Sequence, residues 1–488
     1  MTAPSLASSA SRGASITLAG QLLRTGTSTI GLVVLARLLS PQDFGLVAMV
    51  AAVVGLGEVV RDLGLSTASI QARQLSGGQR SNLFWLSTSI GIALSVIIGS
   101  CASAIAGTYD EPRLAAIVPV LAATFTLNAL GAQHRALANR EMAFGKLAVI
   151  ETAPPIVGLL VACVLAALGA SYWSLVAQQV TIAALGAILA WLLVRWRPGM
   201  YARSERIGHL LTFGGNLVAV QLLGYLSRSI DTVVMGVKFG ASALGMYDRA
   251  FQLVMLPLNQ LNAPATRVAL PVLSTLQDDA RRYARYVEHG QRMLLYPILA
   301  ILGLMSAVAP DLIEAVLGSQ WSPASTYMRI LIVGAAAQAA SYATYWIFLS
   351  HGRTASNLKF ALATRPIVIG SIVLGSLVGP LGIPAGYSIG LLILWPIGYA
   401  WVRSYQGVDA SRLLRSGAIG IAVYLPAAGV GAVVSEVINP GESPWVGLAI
   451  GMTSYAAVAV ASVALVPEAR ETWRDLGRRA FAVLRRSR

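Results

Sequence analysis

The sequence predicts an all-α polytopic membrane protein with about fourteen transmembrane helices. Of its 488 residues, 56% are hydrophobic and only 12% are charged, and the mean hydropathy is +0.67, which is far from a soluble domain. Apolar runs of about twenty residues, enough to cross a bilayer, recur along the chain. These runs must be helical, because an open sheet in lipid would leave backbone groups without hydrogen bonds.

The apolar runs follow one another with short connections. Between the first two, Ser40-Pro41-Gln42-Asp43 predicts a turn, since proline fixes φ and Asp43 can accept free amide protons at a helix start. The predicted spans are 14–39, 44–70, 82–106, 114–134, 146–168, 171–194, 208–236, 242–270, 291–317, 324–349, 358–378, 382–402, 416–435 and 445–466. We expect no cleavable signal peptide, because residues 1–10 contain no basic residue and the first apolar run is long.

The basic residues alternate from one connection to the next. Of the 36 lysines and arginines, 27 lie in the N-terminal tail, the even-numbered connections and the C-terminal tail. The odd-numbered connections hold only Arg37, Arg113 and Lys238. Because cytoplasmic loops are enriched in Lys and Arg, we predict a multi-pass protein of the inner or plasma membrane with both termini in the cytoplasm. The net charge of +15 is therefore explained without nucleic acid.

A weak internal repeat predicts the domain organisation. A shift of 200 residues aligns Gln21-Leu22-Leu23 with Gln221-Leu222-Leu223, and Gly45 with Gly245; chance matching of apolar segments is the alternative. Transporters are commonly built from such paired halves, so we predict two six-helix lobes with two helices appended. The predicted domains are a cytoplasmic N-terminal tail (1–13), an N-lobe (14–195), a linker (196–207), a C-lobe (208–404), the appended helices (405–466) and a basic amphipathic tail (467–488).

Arg24 is the most informative charge within a span. It lies about ten residues into the first span, about 15 Å deep at 1.5 Å per residue, with no acidic residue three or four positions away. An arginine at this depth costs several kcal/mol unless it faces protein or water. We therefore predict that it lines an aqueous cavity and attracts an anion, and a guanidinium suits a diphosphate because it can form paired hydrogen bonds. The alternative is pairing with an acidic residue on another helix or with backbone carbonyls.

Further charges within spans extend this prediction. Arg228 and Asp231 either neutralise each other or face the substrate, and Asp231 could also carry a coupling proton. Arg249 follows Asp248 near the outer end of the eighth span, where a structural role competes with substrate binding. The charges at 58, 61 and 62 share a helix face and form either a local network or a cytoplasmic gate; they are Glu58, Arg61 and Asp62.

Several chemistries are excluded by residue usage. The two cysteines lie inside apolar runs, which argues against a disulfide framework or a cysteine metal site. None of the three lysines stands in a GxxxxGK[ST] loop, and the four histidines show no HExxH spacing. We predict no catalytic residue, metal or cofactor, because no acid/base constellation meets the geometric requirements.

Several motifs resemble one family of transporters. LSPQDFG at 39–45, LGLSTASIQ at 63–71 and GAQHRALANREMAF at 131–144 resemble the polysaccharide transporters of the colanic-acid and teichuronic-acid type. These belong to the multidrug/oligosaccharidyl-lipid/polysaccharide superfamily. The resemblance implies two six-helix lobes around a central cavity, and a flippase that moves polyprenyl-diphosphate-linked oligosaccharides to the outer leaflet by alternating access. It fades beyond about residue 350, so the last four helices rest on hydropathy.

The sequence leaves three functions open: a flippase, a small-molecule exporter and a membrane enzyme. The flippase is favoured by the resemblance and by Arg24; its expected partners are the lipid-linked oligosaccharide, membrane lipids, and the polymerase and glycosyltransferases of polysaccharide assembly. A multidrug-antiporter-like exporter would require an acidic cavity for organic cations. A membrane glycosyltransferase or ligase would require a catalytic extracytoplasmic loop, and the predicted loops are short.

The C-terminal tail predicts an interfacial helix. Apolar residues including Trp473 and Leu476 share one face, with arginines around it. Such a helix lies on anionic lipid, and we predict that it is an anchor and not a binding site.

Overall fold

The computed structural model describes residues 6–72, 74–203, 205, 207–438 and 443–486. Within these ranges the chain forms α-helices and one short 3-10 helix, and no strand. The helices form two compact units, Met1–Gly245 and Met246–Arg488. The finer division into tails, lobes, linker and appended helices stays a prediction.

The first unit contains the helices before the long helix α9 and the beginning of α9. Their bounds are α1 (Leu6–Leu38), α2 (Pro41–Asp62), α3 (Leu65–Gln71), α4 (Gly77–Ser100), α5 (Ala102–Thr108), α6 (Leu114–Arg140), α7 (Phe144–Ala167), α8 (Trp173–Leu193) and α9 (Gly208–Thr275). Helix α6 packs against α2, α4 and α8, and α7 packs against α1 and α8. This packing brings residues of α1, α2, α6 and α7 into one region of the unit.

The second unit contains the remainder of α9 and all later helices. Their bounds are α10 (Ala280–Ala307), α11 (Ala309–Leu317), α12 (Ala324–Ala340), α13 (Tyr342–Ser350), α14 (Thr354–Gly375), α15 (Gly382–Val402), α16 (Ala410–Ile438), α17 (Pro444–Leu465) and α18 (Pro467–Arg486). Helix α10 packs against α12 and α16, and α17 packs against α16. The C-terminal helix α18 packs against α10 and α17.

The predicted spans agree with the helices. In the described residues, eleven helical segments are long and apolar enough to cross a membrane. The other three predicted spans, 14–39, 208–236 and 242–270, coincide with α1 and with the two parts of α9. Helix α9 is divided by Gly240, whose φ of 78° and ψ of −178° are favourable only for glycine. The prediction of an all-α polytopic membrane protein is confirmed, with about fourteen spans as an approximate count.

The connection from α1 to α2 is fixed by a capping box. The Ser40 side chain accepts a hydrogen bond from Asp43 N, and the Asp43 carboxylate accepts one from Ser40 N at 2.9 Å. Ser40 is therefore the N-cap, while Asp43 lies in the first turn. Ser171 Oγ also donates to Asp43 Oδ1, which ties the start of α2 to the segment before α8.

One predicted outer connection carries its own neutralising pair. Arg113 Nε and Nη2 donate to the two carboxylate oxygens of Glu111 at 2.7 and 2.8 Å. These hydrogen bonds hold the pKa of the Glu111 carboxyl below its usual value. Arg113 thus adds little net positive charge to this connection.

Candidate transport site in the first unit

Arg24 pairs with an acidic residue on another helix. Its Nη1 lies 3.0 Å from Glu151 Oε2 on α7, and the two side chains are 43% and 38% exposed. One turn earlier, a Cβ added to Gly20 would lie 3.4 Å from Thr152 Cγ2, so α1 and α7 run in close contact here. The structure therefore shows the interhelical ion pair that the sequence left as an alternative. Binding of a diphosphate by Arg24 stays a prediction.

The predicted gate residues divide into two groups. Arg61 Nε donates to Glu58 Oε2 at 2.7 Å, and Asn128 Nδ2 on α6 donates to Glu58 Oε1 at 2.8 Å. Asp62 Oδ1 accepts a hydrogen bond from Ser66 Oγ on α3 at 2.5 Å. Glu58 therefore links the end of α2 to α6, whereas Asp62 links it to the following short helix.

Arg135 extends these interactions within α6. Its Nη2 donates to Asn128 O at 3.0 Å, and a Cβ added to Gly131 would come within 2.8 Å of its Nη1. Asn128 therefore contacts both Glu58 and Arg135. We call these side chains the N-terminal charge cluster; its charged members are Arg24, Glu58, Arg61, Asp62, Arg135 and Glu151.

The N-terminal charge cluster contains three arginines and three acids. With every group ionised, these six side chains carry no net charge. Arg24 and Arg61 each pair with a carboxylate, so an incoming anion competes with that carboxylate for the guanidinium. Arg24 is suited to such an exchange, because its side chain is 43% exposed, whereas the Arg61 side chain is only 9% exposed.

Two cluster residues were missed by the sequence analysis. Arg135 was assigned to a connection, because the predicted fourth span ends at residue 134, whereas α6 continues to Arg140. Glu151 lies inside the predicted fifth span, 146–168. An acidic residue within an apolar run is itself a signal for a buried partner or a site.

Arg228 and Asp231 also belong to the first unit. Asp231 is buried, and its Oδ1 accepts a hydrogen bond from Thr232 N at 2.8 Å, while Arg228 is exposed. One turn before Arg228, Tyr225 OH donates to Ala52 O at 3.0 Å, so this part of α9 lies against α2. The roles of Arg228 and Asp231 toward the substrate stay predictions.

Arg249 belongs to the second unit and pairs with its neighbour. Its Nη2 lies 2.6 Å from Asp248 Oδ2, and the side chains are 14% and 23% exposed. Gln252 Nε2 donates to the same carboxylate oxygen at 3.0 Å. These contacts support the structural interpretation of Arg249, and its contact with substrate stays a prediction.

A metal centre is not formed by the residues that the structure describes. Among them, no group of three or more His, Cys, Asp or Glu side chains is placed to hold a metal ion.

Comparison with known protein families assigns the chain to one of them. The model of the family described as "Polysaccharide biosynthesis protein" matches residues 34–326, which is more than half of the chain. The chain belongs to this family. Its first unit carries most of the match, including every residue of the N-terminal charge cluster except Arg24.

Curated relatives of this family member are proteins of polysaccharide biosynthesis. The lipopolysaccharide biosynthesis protein WzxC of Escherichia coli (strain K12) is 24% identical over 74% of this chain and 74% of its own length. The succinoglycan biosynthesis transport protein ExoT of Rhizobium meliloti (strain 1021) is 23% identical over 78% of each chain. The teichuronic acid biosynthesis protein TuaB of Bacillus subtilis (strain 168) is 26% identical over 57% of this chain and 58% of its own length.

Solved structures identify the fold. The lipid II flippase MurJ in an inward closed conformation gives a TM-score of 0.69 at 12% identity, covering 92% of this chain and 97% of MurJ. An inward-facing multidrug resistance MATE transporter of the MOP superfamily gives 0.61 at 15% identity, covering 80% and 96%. At these identities the likeness shows the fold alone.

The comparisons confirm the main predictions from sequence. The chain is a multi-pass membrane transport protein of polysaccharide biosynthesis with the fold of the predicted superfamily. ExoT is named a transport protein, and the fold is shared with a flippase and a MATE transporter, which confirms the prediction that the chain is not an enzyme. The substrate-binding and gate residues remain predictions.

Proposed function

We propose that this protein is a flippase that moves polyprenyl-diphosphate-linked oligosaccharides from the cytoplasmic to the outer leaflet for cell-surface polysaccharide synthesis. The observation that carries this proposal is a polysaccharide biosynthesis family match on a chain with the flippase fold. The N-terminal charge cluster supports it, because a half-exposed guanidinium is suited to a diphosphate.

Substrate binding begins with an exchange at Arg24. The diphosphate takes the place of Glu151 as the partner of the guanidinium, so the cluster acquires negative charge only while the substrate is bound. Guanidinium binds phosphate oxygens through two parallel hydrogen bonds, which fixes the diphosphate while the glycan moves. The contact of Glu58 with Arg61 and Asn128 acts as the gate, since it joins α2 to α6.

The multidrug-antiporter alternative is supported less by these observations. The MATE transporter shares the fold, but a shared fold does not determine the substrate. An exporter of organic cations requires unpaired acids, whereas Glu58 and Glu151 both pair with arginines. The curated relatives are named for polysaccharides and not for drugs.

We further propose that the protein lies in the inner or plasma membrane with both termini in the cytoplasm, and that it acts beside the polymerase and glycosyltransferases of polysaccharide assembly. The distribution of basic residues supports this orientation. Such a flippase would receive its substrate from the glycosyltransferases and deliver it to the polymerase.

The orientation predicts the position of reporter fusions. Fusions after Arg203, Arg285 and Arg412 should report a cytoplasmic location, and fusions at Gly169 and Ser319 an external one, because the basic connections stay inside. Paired phosphatase and fluorescent-protein reporters measure this directly. A reproducible reversal at any one site contradicts the proposed orientation.

The flippase function is tested in a deletion strain and in proteoliposomes. Deletion should accumulate a lipid-linked oligosaccharide on the cytoplasmic leaflet, and purified protein should move that lipid across the bilayer of a liposome. Lipid extraction with mass spectrometry identifies the accumulated molecule. If deletion leaves these lipids unchanged and instead raises sensitivity to cationic drugs, the multidrug-exporter alternative is correct.

A further inference from the structure

An apolar cavity lies beneath the C-terminal helix in the second unit. It has a volume of about 540 Å³, within the range of about 300–1,000 Å³ typical of small-ligand pockets. Its wall is formed by Tyr424, Tyr455 and the alanines and valines of α17, and Arg470, Trp473 and Arg474 of α18 border it. We call it the α17–α18 cavity.

The α17–α18 cavity is held open by hydrogen bonds among its own wall residues. Trp473 Nε1 donates to Tyr424 OH at 2.6 Å, and Tyr455 OH donates to Ala300 O at 2.7 Å. Because these polar atoms are already engaged, the wall offers mainly hydrocarbon to a ligand. On α18 itself, Ala469 and Thr472 are buried, so the helix is seated on α10 and α17 and is not a detached tail.

The two arginines at the border are free to bind an anion. Arg470 and Arg474 are separated by one helical turn and therefore share a face of α18, and both are exposed. Within the described part of the chain, neither guanidinium has an ion pair or a hydrogen bond. Such a pair beside an apolar cavity suits a ligand with one anionic group and one hydrocarbon chain.

We propose that the α17–α18 cavity binds an anionic glycerophospholipid, with an acyl chain against α17 and the phosphate between Arg470 and Arg474. Guanidinium groups bind phosphate through short charge-assisted hydrogen bonds, and basic pockets beside membrane helices bind anionic headgroups. The cavity is lined only by second-unit residues, whereas the N-terminal charge cluster belongs to the first unit. The lipid site therefore shares no residue with the proposed substrate site, and its binding can be tested without the transported molecule.

The sequence analysis predicted an anchor at α18 and no binding site. The arginines and the apolar face were visible in the sequence, but the cavity arises from the packing of α10, α16 and α17 beneath the helix. The predicted anchor requires only general attraction to an anionic surface, whereas the site proposed here holds a single lipid molecule.

The lipid site is tested by native mass spectrometry of the full-length protein titrated with phosphatidylglycerol or phosphatidylcholine. Wild type should bind one phosphatidylglycerol about tenfold more tightly than phosphatidylcholine. The variant Arg470→Gln/Arg474→Gln should lose this preference, and Ala456→Trp should weaken binding of both lipids by filling the cavity while leaving the charges. Arg415→Gln/Arg478→Gln is the matched control, because it removes two exposed charges that do not line the cavity and should bind as wild type does.

Three results overturn the proposal. Equal binding of the two lipids by wild type, or wild-type binding by Arg470→Gln/Arg474→Gln, excludes a headgroup site at these arginines. Equal weakening by the control variant shows general charge attraction. Displacement of bound phosphatidylglycerol by an equimolar polyprenyl phosphate assigns the cavity to the substrate's lipid chain and not to a glycerophospholipid.

Discussion

Arg24→Ala should reduce export about 30-fold or more, because losing one partner of a charge-assisted pair costs about 2–5 kcal/mol and 1.4 kcal/mol is a tenfold change. The protein should still insert and accumulate normally. Its partner Glu151 is 38% exposed, and exposed ion pairs contribute only about 0–1 kcal/mol to stability. Export in proteoliposomes, protein abundance and thermal unfolding measure these effects separately.

Substitution of Glu151 distinguishes diphosphate binding by Arg24 from neutralisation of the Glu151 carboxylate by Arg24. If Arg24 only compensates the Glu151 carboxylate, the variant Arg24→Ala/Glu151→Gln should recover export, because both charges are then absent. If Arg24 holds the diphosphate, the double variant should remain as defective as Arg24→Ala. Glu151→Gln alone should strengthen binding of a diphosphate lipid, since the guanidinium no longer has to leave a carboxylate.

Arg24→Lys provides the geometric control. Lysine keeps the positive charge but lacks the planar group that forms two parallel hydrogen bonds, so export should recover only in part. Full export by Arg24→Ala/Glu151→Gln would show that Arg24 is structural. Arg228 and Arg249 would then be the next candidates for the diphosphate contact.

The sequence predicts a functional or paired Arg24, but it does not predict that the partner is Glu151. The depth of Arg24 follows from its position in an apolar run, so a functional or paired arginine was predictable. Its partner was not, because the two residues are 127 positions apart, and their contact depends on α1 packing against α7. Arg135 was missed for a different reason: a helix end was placed a few residues too early, although hydropathy located the helix itself.

The helices were largely predictable because bilayer thickness imposes their length. The continuity of α9 across two predicted spans could not be predicted, since Gly240 interrupts the helical backbone without a connecting loop. The capping box at Ser40 was partly predictable from the Ser-Pro-Gln-Asp order, although the cap falls on Ser40 and not on Asp43. The α17–α18 cavity could not be predicted, since it depends on the space left between three packed helices.

One reciprocal contact in the first unit joins positions that the predicted 200-residue repeat aligns. A Cβ added to Gly45 would overlap the Ala241 carbonyl, and a Cβ added to Gly245 would overlap the Pro41 carbonyl and lie 3.1 Å from Gly45 N. Positions 41 and 45 correspond to 241 and 245 under the 200-residue shift. The start of α2 and the segment of α9 after Gly240 therefore pack backbone to backbone in a pseudo-symmetric manner, and we expect this contact to form and open during alternating access.

Gly45→Ala and Gly245→Ala should each reduce export about 5- to 150-fold, because overpacking costs about 1–3 kcal/mol in the state that contains the contact. The added methyl groups meet backbone atoms, which cannot move aside as a side-chain tip can. Alanine is intrinsically better than glycine within a helix by about 1 kcal/mol, so an export defect cannot come from lost helix propensity.

Gly370→Ala and Gly429→Ala are the matched controls. Both glycines lie within helices, and an added Cβ meets no atom within 4 Å at either position, so export and thermal stability should be retained. Export by Gly45→Ala and Gly245→Ala at the level of these controls would show that transport does not require the close contact between α2 and α9. A defect confined to the two contact glycines, with normal protein abundance, would place this contact in the transport cycle.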